Sequence, residues 1–275
     1  MPRLSSFERA MDLLEAVLVD GGRSRASSLA GGLNVPVATM HRHLAALRDA
    51  GLLTPVGGGR HVAGPRMLAF AGRISVPEVL SGIGRQLLPD FARRLDCVVQ
   101  LGTLDGDMVT YRVKAGGDLF TKVGMQLEAY CSAIGKVLLA HLPDGEQARY
   151  LEAGPFVQLT AHTITEPRAL AKEFAAVRRL GFACDREEIS EGLACIAVPL
   201  RDANGMVVAA ISASRSIGPG HSVDLEAALP LLEEARGVLE QRAFGRSFNG
   251  RFIILRYSRG VQALDVVPPA TASSN

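Results

Sequence analysis

The feature that most constrains the fold is a run of three glycines, Gly57 to Gly59, between two short strand-like segments at 52–56 and 60–62. Glycines here are typical of a tight β-hairpin, because they adopt the positive φ angles that such turns require. Three short helical segments precede this hairpin. Three helices followed by a hairpin predict a winged helix-turn-helix domain.

The three helical segments are marked by apolar periodicity and by breaker residues. Apolar side chains recur at the spacing of one helix face over 6–19. A second, short helix is predicted over 27–33, and Pro36 then opens a third helix that reaches Ala50. The apolar sector of the third helix, which we expect to face the core, comprises Val37, Met40, Leu44 and Leu47.

The third helix has dimensions suited to the major groove of DNA, which admits one α-helix. Thr39 and Arg42 lie near its N-terminus, away from the apolar sector, and we expect them to contact base edges. The alternative is an ordinary solvated face, since such side chains are common on surfaces. Basic side chains on and around this face are candidates for phosphate contacts: Arg25, His41, His43, Arg48, Arg60 and His61.

Charge is segregated along the chain. Residues 1–75 carry nine arginines, no lysine and five acidic residues, a net charge of +4. Residues 76–244 carry a net charge of −5, and 245–275 one of +3. A basic N-terminal segment indicates that this part meets a polyanion, so we expect double-stranded DNA as a partner.

The remainder of the chain predicts a mixed α/β domain. Its helices are expected at 76–95, 133–142, 166–180 and 222–244, with Thr165 as the N-cap of the third and a bend at Pro230 in the fourth. Two hairpins, at 98–113 and 195–213, alternate with these helices. A length of 275 residues has room for about two domains. The fold class predicted is therefore α+β.

Four segments that cover most of 6–244 match one family pattern in order: ERAMDLLEAV, LNVPVATMHRHLAALRDAGLL, AIGKVLLAHL and TITEPRALAKEFAAVRRLGFACDREEISEGLACIAVPLRDANGMVVAAISAS. Through these segments the chain resembles the isocitrate lyase regulator (IclR) family of bacterial transcription factors. The resemblance implies a winged helix-turn-helix at 1–66, a helical linker at 67–76 and a GAF-like α/β effector-binding domain at 77–244. One departure is that Val37 and Ala38 stand where family members usually have polar residues.

The resemblance also implies an effector that changes operator affinity, a small aliphatic or aromatic organic acid, and assembly as a homodimer or tetramer. Two serines on one strand face can both donate to one carboxylate, although alternating serines are often only solvated. Cys195 has two further interpretations, a small core residue or the thiol of a redox sensor. The family's effector pocket falls on Leu119, Leu127, Ala133, Ile134, Asp185, Cys195, Ser212 and Ser214.

Several functions are not expected. Gly135-Lys136 is only a fragment of a phosphate-binding loop, since Val137 replaces the required Ser or Thr. The six histidines lack metal-ligand spacing, and Ser212 and Cys195 have no nearby histidine as a base. We therefore expect no cofactor, no metal and no enzymatic activity.

The apolar pattern and the cysteines predict the compartment. No apolar run is long enough to span a membrane, and no secretory signal opens the chain. Four scattered cysteines suit reduced thiols in the cytoplasm. Residues 245–275 depart from the family pattern and are expected to form a disordered C-terminal extension, with a basic clamp on DNA or a partner-binding strand as the alternatives.

Overall fold

The computed structural model describes residues 5–33, 36–218 and 223–245. Its N-terminal part is a winged helix-turn-helix, as predicted. The elements are α1 (Ser6–Asp20), α2 (Ala26–Gly32), α3 (Val37–Asp49), β1 (Leu53–Gly57) and β2 (Arg60–Ala63). Their shared core comprises Leu13, Leu14, Val17, Ala26, Ala30, Met40, Leu44, Leu47 and Leu53.

Local sequence signals fix the two ends of α1 and the wing. Ser5 and Glu8 form a capping box, in which each side chain accepts a hydrogen bond from the other residue's backbone N–H. Gly21 ends the helix in the left-handed conformation. Strands β1 and β2 pair antiparallel, and all three glycines from Gly57 to Gly59 have positive φ. The hairpin therefore requires glycine at its tip.

Two helices connect the winged domain to the rest of the chain. Helix α4 (Pro65–Ala71) begins two residues before the predicted linker, and the long helix α5 (Val76–Leu95) follows after a short break. Gly64, which precedes α4, packs so closely on Gly51 that a Cβ there would collide with its carbonyl. The start of the connection is thus fixed against the winged domain.

The C-terminal part is a six-stranded antiparallel sheet with helices on both faces. The strand order is β5-β4-β3-β8-β7-β6. Its strands are β3 (Val98–Asp105), β4 (Met108–Ala115), β5 (Gln126–Glu128), β6 (Ala183–Arg186), β7 (Leu193–Arg201) and β8 (Val207–Ser216). The remaining elements are α6 (Ala133–Ala140), α7 (Asp144–Glu152), α8 (Pro167–Leu180), a 3₁₀ turn (Glu226–Ala228) and α9 (Leu229–Phe244). The predicted α+β class is confirmed.

The sheet separates two cores. Helices α5 and α9 cover one face, where Leu88, Ile211 and Leu232 are buried, and α6 and α8 cover the other, where Ile134 and Phe174 are buried. Side chains alternate between the two faces along each strand. A polar side chain at a buried strand position therefore places a polar group inside one of the two cores.

Three local predictions differ from the structure, and three elements had no prediction. Val37 is 65% exposed because it lies in the first turn of α3, beyond the core. Glu166 rather than Thr165 caps α8, since its carboxylate accepts a hydrogen bond from the N–H of Ala169 at 2.7 Å. Pro230 opens α9 instead of bending it, because the first turn does not need its missing N–H. Strands β5 and β6 and helix α7 were not predicted.

Two other expectations fall partly or wholly outside the described residues. Residue 222, the predicted start of the last helix, is one such position; the described residues after it show that this start was too early, because α9 begins only at Leu229, after the 3₁₀ turn. The disorder predicted for 245–275 is the other, since only Gly245 of that segment is described.

Candidate DNA-binding surface and effector cavity

The first candidate site is the exposed face of α3 with the wing beside it. Arg25, His41, Arg48 and His61 line a cleft of about 600 Å³ between α3 and the glycine turn of the wing. The wing is held in place because the N–H of Ala26 donates to the carbonyl of Gly59 at 2.9 Å. Basic side chains from α3, from the start of α2 and from β2 thus surround one concave surface.

The other predicted DNA-contact residues take different positions. Arg42 and Arg60 are exposed, and Thr39 is half-buried in the first turn of α3. Arg48 lies 3.3 Å from the carboxylate of Asp49, but both side chains are more than half exposed. Such surface pairs contribute little to stability. Arg48 therefore loses little if it exchanges this partner for a phosphate.

His43 does not fit the predicted phosphate contact. Its side chain is buried against the core, three positions after Met40 and four before Leu47, on the face that these two residues share. Burial lowers the pKa of His43, and the nearby Arg42 and Arg9 lower it further. His43 is therefore a neutral core residue. Its spacing from Met40 and Leu47 in the sequence already indicated a buried position on the same helix face.

The second candidate site is a cavity between the sheet and α6, which we call the effector cavity. Seven of the eight predicted effector residues line it: Leu127, Ala133, Ile134, Asp185, Cys195, Ser212 and Ser214. Leu119 is not among the lining residues; its side chain packs on the neighbouring core, and its carbonyl accepts a hydrogen bond from Lys114 Nζ at 2.8 Å. The free volume is only about 10 Å³, roughly enough for one water.

Strand register brings the polar residues of the cavity together. Asp185 on β6 lies opposite Cys195 on β7, which lies opposite Ser214 on β8. Ser212, two residues earlier on β8, lies opposite Gln100 on β3. Residues directly opposite in antiparallel strands share a face. These five side chains therefore form two adjacent rows on the face that α6 covers.

Sequence reasoning missed several lining residues of the cavity. Gln100 was detectable as the polar interruption of the apolar strand VVQLGTL. The lining residues in loops could not be detected, because loops have no periodic pattern in the sequence. Gln100 Nε2 donates to Thr121 Oγ1 at 2.9 Å, which fixes the 116–125 loop beside the cavity. The missed residues are Gln100, Tyr111, Phe120, Thr121, Ile189 and Leu193, with Ser132 at the start of α6.

Asp185 is the buried carboxyl group of the cavity. Its side chain is 1% exposed. Oδ1 accepts a hydrogen bond from the N–H of Glu188 at 2.8 Å, whereas Oδ2 has no hydrogen-bond partner among the described residues. Burial raises the pKa of Asp185 to about 7, and the Glu188 carboxylate adds to this effect. Close to neutral pH, this carboxyl is therefore poised between its two protonation states.

A buried ion-pair cluster lies next to Asp185. Lys136 Nζ on α6 contacts Glu188 at 2.6 Å and Glu173 on α8 at 3.1 Å, and its side chain is 1% exposed. Burial alone would lower the pKa of Lys136, but the two carboxylates raise it above its ordinary value. Lys136 thus links α6 to α8 and to the segment after β6 through two ion pairs. This role explains the Gly-Lys pair without a phosphate-binding loop.

The cysteines show the properties of buried thiols. All four are free; Cys131 and Cys195 are buried and Cys97 and Cys184 half-buried, and burial raises the pKa of each thiol. The thiolate is the reactive form of cysteine, so a raised pKa suppresses reaction with oxidants. This environment does not favour Cys195 as the primary redox sensor.

Two features are absent from the described part of the chain. Within 5–33, 36–218 and 223–245, no helix combines the length and apolarity needed to cross a membrane. Over the same ranges, no three His, Cys, Asp or Glu side chains are grouped so that they could hold a metal ion.

Two family models match the chain. The model of the IclR helix-turn-helix domain matches residues 6–57, and that of the bacterial transcriptional regulator IclR C-terminal domain matches 79–235. The chain is 28% identical to the HTH-type transcriptional regulator XynR of Escherichia coli, over 89% of this chain and 99% of that protein. It is 33% identical to the HTH-type transcriptional regulator Rv1719 of Mycobacterium tuberculosis, over 73% of this chain and 78% of that protein.

A solved structure gives the same result. The chain is 26% identical to an IclR homolog from Microbacterium hydrocarbonoxydans in complex with 4-hydroxybenzoate, with a TM-score of 0.56 over 87% of this chain and 99% of that one. Model matches over both parts, full-length relatives and a shared fold all agree. This chain belongs to the IclR family of DNA-binding transcriptional regulators.

Proposed function

We propose that this regulator binds its operator through α3 and the wing, and that a small organic acid in the effector cavity changes its operator affinity. The observation that carries the proposal is the strand register. It sets Asp185, Cys195 and Ser214 in one row, with Ser212 beside them, next to the N-terminus of α6. A cavity with two hydroxyls and a helix N-terminus suits a carboxylate.

On the DNA side, we assign Arg42 and Thr39 to base contacts and the basic cleft to phosphates. Arg42 is exposed near the N-terminal end of α3, the part that helix-turn-helix proteins direct at base edges. Arg25, His41, Arg48 and His61 line the cleft, and the exposed Arg60 adds a positive charge beside it. Val37, exposed in the first turn, is suited to contact a thymine methyl group.

On the ligand side, Ser212 and Ser214 are suited to bind the carboxylate, while Leu127, Ile134 and Leu193 provide apolar walls. This combination suits a compact acid with an apolar body. The relative with bound 4-hydroxybenzoate supports an acid of that class. Because the free volume is about 10 Å³, the site opens before a ligand enters.

We further propose that the protein acts as a homo-oligomer, and that a second copy covers the linker. Large apolar side chains of the linker and of the first turn of α5 are exposed: Leu68, Phe70, Ile74, Val76 and Val79. Patches of this kind on soluble proteins mark interaction sites. A two-fold dimer would place two recognition helices on half-sites roughly 34 Å apart or at multiples of that distance.

The test is an electrophoretic shift of the upstream intergenic region of the gene, with and without a panel of aliphatic and aromatic carboxylates. We expect a specific, salt-sensitive shift that one class of acid alters. Arg42→Ala should reduce specificity for the operator, whereas Arg168→Ala, which removes an equal charge from exposed α8, should not. No specific shift would contradict the DNA-binding assignment. A specific shift that is indifferent to every acid would contradict the effector assignment.

A further inference from the structure

We propose that a carboxylate effector binds in the effector cavity together with one proton. Asp185 carries this proton, and its O–H donates a hydrogen bond to the carboxylate of the ligand. This inference rests on the proposed function, because it concerns how the same cavity takes its ligand. It adds the protonation state of the site and the pH dependence of effector binding.

The first argument is the unpartnered oxygen. Asp185 lines the cavity with its side chain 1% exposed, and Oδ2 has no donor among the described residues. A buried acceptor without a donor is destabilising. Protonated, the carboxyl presents an O–H to the cavity, and a carboxylate ligand supplies the acceptor. One hydrogen bond then satisfies both groups, and no covalent bond between heavy atoms forms or breaks.

The second argument is the charge around Asp185. Glu188, which follows β6, and Glu173 on α8 are acidic, and Lys136 on α6 is shared between these two carboxylates. Two buried carboxyls, Asp185 and Glu188, and the partly exposed Glu173 therefore surround a single ammonium. An ionised ligand would add another negative charge, and two carboxylates in contact share a proton instead of both ionising. The other titratable groups near Asp185 are Cys131, Cys195 on β7 and Tyr111 on β4, whose pKa values burial raises so that they stay neutral.

The proton balance follows from these states. The pKa of Asp185 is already about 7 in the empty cavity. Below that pH the proton is present before the ligand arrives, and above it one proton is taken from solvent for each ligand bound. The apparent Kd for a carboxylate should therefore be nearly constant between pH 5.5 and 6.5. It should rise by about tenfold per pH unit above pH 7, because one proton is bound with each ligand.

The experiment is calorimetry on the full-length protein with acetate, pyruvate and benzoate, which carry no hydroxyl donor. Titrations at pH 8 in phosphate and in Tris, whose ionisation enthalpies differ, report the number of protons taken up. We expect a value near one. Asp185→Asn stays neutral and offers an N–H, so it should bind with no uptake and a flat pH profile. The matched control, Ser212→Ala, should bind more weakly but keep the uptake.

A carboxylate that binds at pH 8 with no proton uptake and a flat Kd overturns the inference but leaves the proposed function standing. If none of the three carboxylates binds, the proposed function is contradicted. A measurement without ligand then still tests the inference. A raised folded-state pKa makes a carboxyl stabilising at low pH, and this stability is lost as pH rises towards 7. The folding equilibrium constant of the wild type relative to Asp185→Asn should therefore fall by about tenfold per pH unit between pH 5 and 7. A constant ratio overturns the inference.

Discussion

Replacing Lys136 by methionine should remove much of the stability of the C-terminal domain. Lys136 is 1% exposed, and its ammonium lies 2.6 Å from Glu188, whose side chain is 8% exposed. Methionine fills a similar volume, so the change removes the charge and leaves a buried carboxylate without its cation. Removing one partner of a buried pair costs about 3–5 kcal/mol. Glu173 adds little, because it is 31% exposed and can be solvated in the variant.

The assay is urea unfolding followed by circular dichroism at pH 7.5. With a typical slope of about 2–3 kcal/mol per molar urea, the loss shifts the midpoint of the domain's transition down by roughly 1–2 M. Lys136→Met combined with Glu188→Gln removes both charges and should recover most of the loss. The matched control is Arg178→Met, which breaks a surface pair with Asp144 at 3.2 Å and should cost less than about 1 kcal/mol.

The pH dependence adds a second readout. Burial already raises the pKa of Glu188, although Lys136 opposes this effect. Without Lys136 the folded-state pKa of Glu188 rises further, so the carboxyl is protonated at low pH and charged at high pH. The destabilisation should therefore be small at pH 5 and grow as pH rises. A midpoint lowered by less than 0.3 M at pH 7.5, or a loss that the double variant does not recover, would refute this account of the cluster.

Three further predictions concern other parts of the molecule. Arg42→Ala should weaken binding to the operator by about 1–3 kcal/mol relative to random DNA, measured by competition shift assays; an equal loss on both would assign Arg42 to phosphate. Lys114→Met should loosen the 116–125 loop, because Lys114 Nζ donates to two of its carbonyls at 2.8 Å, and should speed amide hydrogen exchange there; unchanged exchange would contradict this role. Gly135→Ala should destabilise the domain by about 1–3 kcal/mol in urea, because its Cβ would collide with the carbonyl of Ala129; an unchanged midpoint would contradict the tight packing of α6.

Much of the fold was predictable because its signals are local. Pro36, the glycine turn and the apolar periodicity of α1 act over a few residues, and the structure places these elements within two residues of the prediction. Strand β5 is three residues long, and helix α7 is mostly polar, so neither has a strong periodic signal. Pro230 was misjudged because the position of a proline within a helix depends on where the helix begins.

The candidate sites were less predictable, because side chains meet there through tertiary structure. Ser212 and Ser214 share a face by strand periodicity alone, but their neighbours Asp185 and Gln100 depend on register across four strands. The resemblance supplied Asp185, whereas Gln100 was marked only as a polar residue in an apolar strand, with nothing to place it beside Ser212. Neither sequence nor resemblance indicated that Lys136 would pair with Glu188, 52 positions away. Long-range ion pairs leave no periodic trace in one sequence.

The position of the cavity limits how a ligand can act on DNA affinity. A ligand shifts an equilibrium only if it binds one arrangement of the protein better than another. The cavity lies under α6 on one face of the sheet, and α5 packs on the other face. The contact at Gly84 of α5 is close, because a Cβ added there would lie only 3.2 Å from Val113 Cγ2 on β4. Because α5 leads directly to α4 and the winged domain, we expect an opening of the sheet beneath α6 to be transmitted through α5. Gly84→Ala would press its Cβ on Val113 and should alter the effector-dependent change in operator affinity more than the affinity without effector. Equal changes in both would locate the coupling elsewhere.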